Sequence, residues 1–111
     1  MLPSSKRLSI PLLKTVMDKG RLVHSSLFSV KILKTAHSSR FSVVVSKKIA
    51  KSAVDRNKTR RRTFAALSTL YGRITPGTHA VFMVKAPLLK ASLQEITHAL
   101  EEFFVKTELL K

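Results

Sequence analysis

The sixteen residues Lys47 to Arg62 carry eight Lys or Arg and a single acid, Asp55. They hold a net +7 of the +15 formal charge of the whole chain. Residues 55–62 read Asp-Arg-Asn-Lys-Thr-Arg-Arg-Arg, with no apolar side chain on any face. The chemistry open to such a run is the binding of phosphate. An arginine fork can donate two hydrogen bonds to neighbouring oxygens. Asn57 adds an amide suited to a base edge, a sugar hydroxyl or a hydrated ion. The candidate nucleic-acid-binding residues are therefore Lys47, Lys48, Lys51, Arg56, Asn57, Lys58, Arg60, Arg61 and Arg62. A helix face that is merely solvated usually mixes charge signs, and this one hardly does. Like charges four apart, such as Arg56 and Arg60 or Lys58 and Arg62, repel along a helix. A second, anionic surface would remove that cost.

Other chemistries find little support. Two-metal phosphodiester hydrolysis needs several converging acids. Of the six acids, Glu95, Glu101, Glu102 and Glu108 are expected on the last helix, which leaves Asp18 and Asp55. No catalytic residue and no metal site are expected in the chain. His24, His37, His79 and His98 show no paired ligand spacing and are expected at surface or edge positions. With no Cys there is neither a disulfide framework nor a thiolate site. A DNA-reading helix-turn-helix fits poorly, because the basic segment follows a strand. A membrane-surface helix would need an apolar face beside its charges.

Elements that could position the basic run follow from periodicity. With 111 residues, 44% of them hydrophobic, the chain is expected to form one domain, 1–111, with a real core. The apolar run Leu8 to Leu13 is interrupted by Pro11 and too short for a signal peptide. A soluble, unprocessed, cytoplasmic protein with no membrane contact is expected. Leu12, Leu13, Val16 and Met17 predict a helix over 10–19, with Gly20 as its C-cap. Alternation predicts a strand over 27–33, with Phe28, Val30 and Ile32 on its core face. A second strand over 41–45 should pair with it as a hairpin. The basic run leads into a helix whose stripe is Phe64, Leu67 and Tyr71. Extended backwards, that stripe falls on Arg60 and Asn57, so the first half of the helix should project, fully solvated. Gly72 and Thr75-Pro76-Gly77 end it. Residues 80–84 form a further strand. A last helix follows Pro87, with a face of Leu89, Leu93, Ile96, Leu100 and Phe103. The order predicts an α+β fold, a two-layer sandwich with helices on one face of a small sheet.

At the basic run the chain resembles a known family. Val45-Ser46-Lys47-Lys48-Ile49, then Ala53-Val54, Arg56-Asn57-Lys58 and Arg60-Arg61, is similar to the signature of the bacterial ribonuclease P protein family. Leu2-Pro3 with Lys6-Arg7-Leu8, the turn Lys19-Gly20-Arg21 and an amphipathic last helix with a basic tail extend the similarity over nearly the whole chain. The resemblance implies a small mixed sheet with a left-handed βαβ crossover. It implies a catalytic RNA partner that binds Mg²⁺ and cleaves the 5′ leader from precursor tRNA. The protein would be a subunit of that endoribonuclease, with no small-molecule cofactor of its own. It also implies a cleft between the first helix and the sheet that holds the leader. Met17, Leu13 and Lys31 stand where the family has aromatics, Ala50 where it has a loop glycine, and Thr59 where it has an apolar helix residue. Leader contact is therefore expected to use charge and apolar packing, through Leu13, Met17, Phe28, Lys31 and Arg40. A ribosomal or other structural RNA binder is the alternative that the same charge would fit.

Overall fold

Strand β2 shows how the layers are set. In the computed structural model, which describes residues 6–110, it runs Phe28–Lys34. Its Phe28, Val30 and Ile32 are buried, while Ser29, Lys31 and Leu33 are half-buried on the opposite face. The order is α1 (Ile10–Lys19), β1 (Arg21–His24), β2, β3 (Arg40–Val44), α2 (Ala53–Leu70), β4 (Thr78–Val84) and α3 (Leu93–Lys106). Short 3-10 turns occupy Tyr71–Arg73 and Ala86–Lys90.

The expected hairpin between the second and third strands does not form. The sheet order is β1-β2-β4-β3, so β4 lies between β2 and β3. It pairs antiparallel with β2 and parallel with β3, and α2 joins the parallel pair as a βαβ unit. The reason lies in hydrophobicity. Six of the seven residues of β4 are buried, on both faces, so it takes the centre. Strands β2 and β3 each keep a wetter face and flank it.

Helices α2 and α3 cover the face that carries Phe28, Phe41 and Phe82. Phe82 stands at its middle, with ring centroids 5.5 Å from Phe28, 6.1 Å from Phe41, 5.7 Å from Phe103 and 6.1 Å from Phe104. Helix α1 packs against β2 and β4 from the other side. There Val16 and Val81 are fully buried outside the main core. The expectation of helices on one face therefore holds for α2 and α3 but not for α1. A central strand that is apolar on both faces needs cover on both.

Local signals explain most ends. Ser92 and Glu95 close a capping box at the start of α3, the Ser92 amide donating to Glu95 Oε1 (3.0 Å) and the Glu95 amide to Ser92 Oγ (3.1 Å). Hydrogen bonds from the Ser92 amide and then its side chain lower the pKa of the Glu95 carboxyl. The cap starts α3 at Leu93, so Leu89 belongs to the preceding 3-10 turn and Leu93 is 47% exposed. The buried face is Ile96, Leu100, Phe103 and Phe104. Glu108 lies just past the helix in a left-handed conformation, φ 61°. Gly20 does follow α1, but its backbone is extended. It is glycine because a Cβ there would stand 2.4 Å from the Val16 carbonyl oxygen. Gly77 has φ +85° and its carbonyl accepts from Thr35 N at 2.8 Å, which pins the expected turn.

His79 corrects the expectation of a surface histidine. It sits on β4 with 2% of its surface exposed, its Nε2 3.2 Å from the Ser38 carbonyl. Burial pushes its pKa down, and the nearby His37 and Arg40 charges push the same way, against the Ser38 bond. A histidine with a lowered folded pKa stays neutral while the unfolded chain takes up protons. Stability is then full above the ordinary histidine pKa of about 6.5 and falls as pH drops below it. Urea midpoints are expected to decline from pH 7.5 to 5.5, and more steeply than in His79→Gln. Equal declines in both proteins would remove His79 as the cause.

Candidate nucleic-acid interface

The interface begins in the loop after β3. The Ile49 and Ala50 amides donate to the Ser46 carbonyl (3.1 and 3.0 Å), folding Ser46–Ala50 into a tight turn. Ala50 is buried beneath it, and Lys47, Lys48 and Lys51 point their charges to solvent. Ser52 then caps α2, accepting from the Asp55 amide at 3.4 Å, and Asp55 complements the helix dipole in the first turn. Arg56 ties the two pieces together, its Nη1 donating to the carbonyls of Ala50 (2.9 Å) and Lys51 (2.8 Å).

The cationic half of α2 is not the fully solvated rod expected. The buried residues of α2 are Thr59, Thr63, Phe64, Ala66, Leu67 and Leu70. Phe64 and Leu67 face the core as expected, while the buried face runs back onto Thr59 and Thr63 and not onto Arg60 and Asn57. Thr59 is only 4% exposed. A buried threonine is tolerated there because each hydroxyl bonds back into the helix, Thr59 to the Asp55 carbonyl (2.8 Å) and Thr63 to the Thr59 carbonyl (2.9 Å). The methyl groups are then free to continue the core contact. Arg56, Arg60 and Arg62 are half-buried, while Asn57, Lys58 and Arg61 are exposed.

Because α2 lies on the body, its charges divide into two flanks. On one flank Asn57, Arg60 and Arg61 line a groove of ≈ 860 Å³, together with Arg7 and Arg40. Arg60 donates through Nη2 to Asn57 Oδ1. On the other, Lys58 and Arg62 line a smaller hollow beside Lys51, and Arg62 Nη1 donates to the Ala91 carbonyl at 3.1 Å. The ion pairs among the described residues are Arg73–Glu101 (3.8 Å) and His98–Glu102 (2.7 Å), both remote from this segment. The donors of Arg56, Arg60 and Arg62 are met by carbonyls and an amide, which leave the positive charge uncompensated. A polyanion would supply what the fold omits.

Of the expected leader cleft, Leu13, Met17 and Lys31 are half-buried on α1 and on the α1 side of β2. Phe28 is not available to it. Its ring is fully buried on the opposite face, edge-on to Phe82 and Phe103. The alternation of β2 puts Phe28 with the core, and Lys31 three residues on falls to the other side. All six Phe are buried in that core, so the α1 face of the sheet offers no phenylalanine for stacking. Arg40 is brought to the α2 groove at the β3 edge. Strand β1 is the additional early strand for which the order of elements leaves room without a range, and the place of Arg7 has no sequence signal. The alternating Arg-Leu-Val-His of β1 was a legible if short signal. Leu2-Pro3 and Lys111 lie outside the described residues.

Among the described residues no three His, Asp or Glu side chains gather where they could hold a metal ion. No helix among them is long and apolar enough to cross a membrane.

Fold and interface together define a small basic α+β protein whose one-signed helix is open to an anionic partner. A family model described as Ribonuclease P matches residues 4–108, and the chain belongs to the ribonuclease P protein family. It is 37% identical over 79 residues to the ribonuclease P protein component of Synechococcus elongatus, a match covering 70% of this chain and 65% of that relative's length. A Pseudanabaena relative of the same description is 31% identical over 97 residues, 86% of this chain and 84% of the relative. Among solved structures, the Staphylococcus aureus RNase P protein superposes with TM-score 0.81 at 20% identity, over 96% of this chain and 98% of the other. The Thermotoga maritima RNase P protein gives 0.79 at 21% identity, over 90% and 96%. At such identities the structures establish the shared fold.

Proposed function

We propose that residues 1–111 act as one RNA-binding domain, the protein subunit of a ribonuclease P that matures the 5′ end of precursor tRNA. The observation that carries this is the uncompensated charge of α2 and its leading loop in a chain of this family. Lys47, Lys48, Lys51, Lys58, Arg60, Arg61 and Arg62 meet phosphates of a catalytic RNA, Asn57 adds its amide among them, and Arg56 holds their loop to the helix. Leu13, Met17 and Lys31 take the single-stranded leader, and Arg40 serves the groove beside α2 instead. Without an aromatic platform, worth about 1–3 kcal/mol per base where present, leader contact rests on charge and on the flexible Met17 side chain.

Hydrolysis belongs to the RNA, with Mg²⁺ bound mainly by it. The chain's own contribution is a positive field that raises affinity for substrate and for the leader phosphates. The site of action is the cytoplasm. The experiment is to purify the tagged protein, sequence the RNA that comes with it, and assay precursor tRNA cleavage with and without that RNA. One dominant RNA that restores cleavage is expected, and no cleavage by RNA-free protein in Mg²⁺. Recovery of ribosomal RNA alone would favour the structural RNA-binder reading. Cleavage by the RNA-free protein would overturn the assignment of chemistry to the RNA.

A further inference from the structure

The groove beside α2 has a wall that does not come from α2. Residues Arg7 and Leu8 run parallel to β3, with an Arg7–Phe41 bridge and the Leu8 amide donating to the Phe41 carbonyl at 2.9 Å. This edge contact places Arg7 in the groove lining, opposite the α2 residues Asn57, Arg60 and Arg61. Arg40 on β3 donates through Nη1 to the Arg7 carbonyl at 3.4 Å and so braces the segment. The lining thus gathers four guanidinium groups and one amide, with no carboxylate. Among the described residues, Arg7 Nε is also the buried side-chain atom with no hydrogen-bond partner. A buried charged donor left unmet is costly, and an anion oxygen would satisfy it.

We propose that Arg7 is a phosphate ligand of this groove, clamping a backbone phosphate of single-stranded RNA against Arg60 and Arg61, with Arg40 as its positioning residue. The groove, at ≈ 860 Å³, has room for a nucleotide unit. Its floor is apolar (Phe41, Val43 and Phe64), and Val54, 71% exposed, forms a lip on which the attached sugar or base can lie. A phosphodiester suits this lining because a guanidinium fork matches two of its oxygens. The inference rests on the RNA-binding reading and adds to it a residue outside the basic helix.

The test uses full-length protein and a fluorescent hexauridylate, titrated between 50 and 300 mM salt. Arg7→Ala is expected to bind at least fivefold more weakly than wild type at 100 mM and to flatten the log–log salt slope by about 0.7, one single-strand phosphate. Lys34→Ala, which removes an exposed charge at the end of β2, is expected to leave both unchanged. Arg7→Lys keeps the charge and serves if the alanine variant is misfolded. It should retain the slope and lose affinity, because an ammonium lacks the fork. Arg7→Ala combined with Arg61→Ala should lose less than the sum of the two single losses, since both hold one phosphate. Arg7→Ala matching wild type in affinity and slope, Arg7→Lys likewise if alanine cannot be read, or strictly additive losses, would overturn the clamp while leaving the RNA-binding reading intact. Failure of wild type itself to bind any RNA at 50 mM salt would instead bring down that reading, and the clamp with it.

Discussion

Alanine at both Arg60 and Arg61 is expected to weaken binding of the partner RNA roughly 10- to 100-fold near 0.1 M salt. The log–log salt slope should flatten by about 0.7–0.9, the one phosphate that the two arginines hold. The two side chains line the larger groove on α2, and among the described residues neither is in an ion pair with a carboxylate. Their removal therefore releases charge from the interface and takes nothing from the core. Thermal stability should hold or rise slightly, because the like-charge contact between Arg56 and Arg60 is relieved. Filter binding at several salt concentrations reads the first effect, and circular dichroism melting the second. An unchanged slope would mean that these arginines do not meet phosphate. A collapse of the melting temperature would mean that they hold the fold.

The second large effect lies in the core. Phe82→Ala should cost about 3–5 kcal/mol, the range for removing a buried ring. That is a large share of the roughly 5–15 kcal/mol that keeps a domain folded. Phe82 is fully buried on the central strand, and its ring meets four others within 6.1 Å. Its loss would unseat α3 through Phe103 and Phe104 and loosen the strand that aligns β2 with β3. Urea unfolding gives the figure, and Phe82→Leu, which keeps most of the volume, should lose much less. A loss below about 1 kcal/mol for alanine, outside the usual range for such truncations, would show that the cluster can collapse around the gap.

The two sites also differ in how readily they could be read from the chain. The basic loop and helix were visible because charge is carried by each residue whatever its surroundings. A run almost all of one sign says that the chain suits an anionic partner before any fold is known. Helix α1 and the faces of β2 were visible for a related reason, since a period of 3.6 or 2 is a property of neighbours. Gly20 caps α1 as expected, but the crowding against the Val16 carbonyl that keeps a side chain out is a contact that no turn rule contains.

What the chain alone determined is the cationic character of residues 47–62, the kinds of most elements and the apolar face of β2. All of these arise between residues close in sequence. Only the folded molecule decided that β4 separates β2 from β3, that α1 lies apart from the other helices, and that Thr59 continues the core. It also withdrew Phe28 from the leader cleft and set Arg7 and Arg40 against α2. Those outcomes depend on which surfaces meet across long stretches of chain. That choice is made by the burial of both faces of one strand, and no local pattern encodes it.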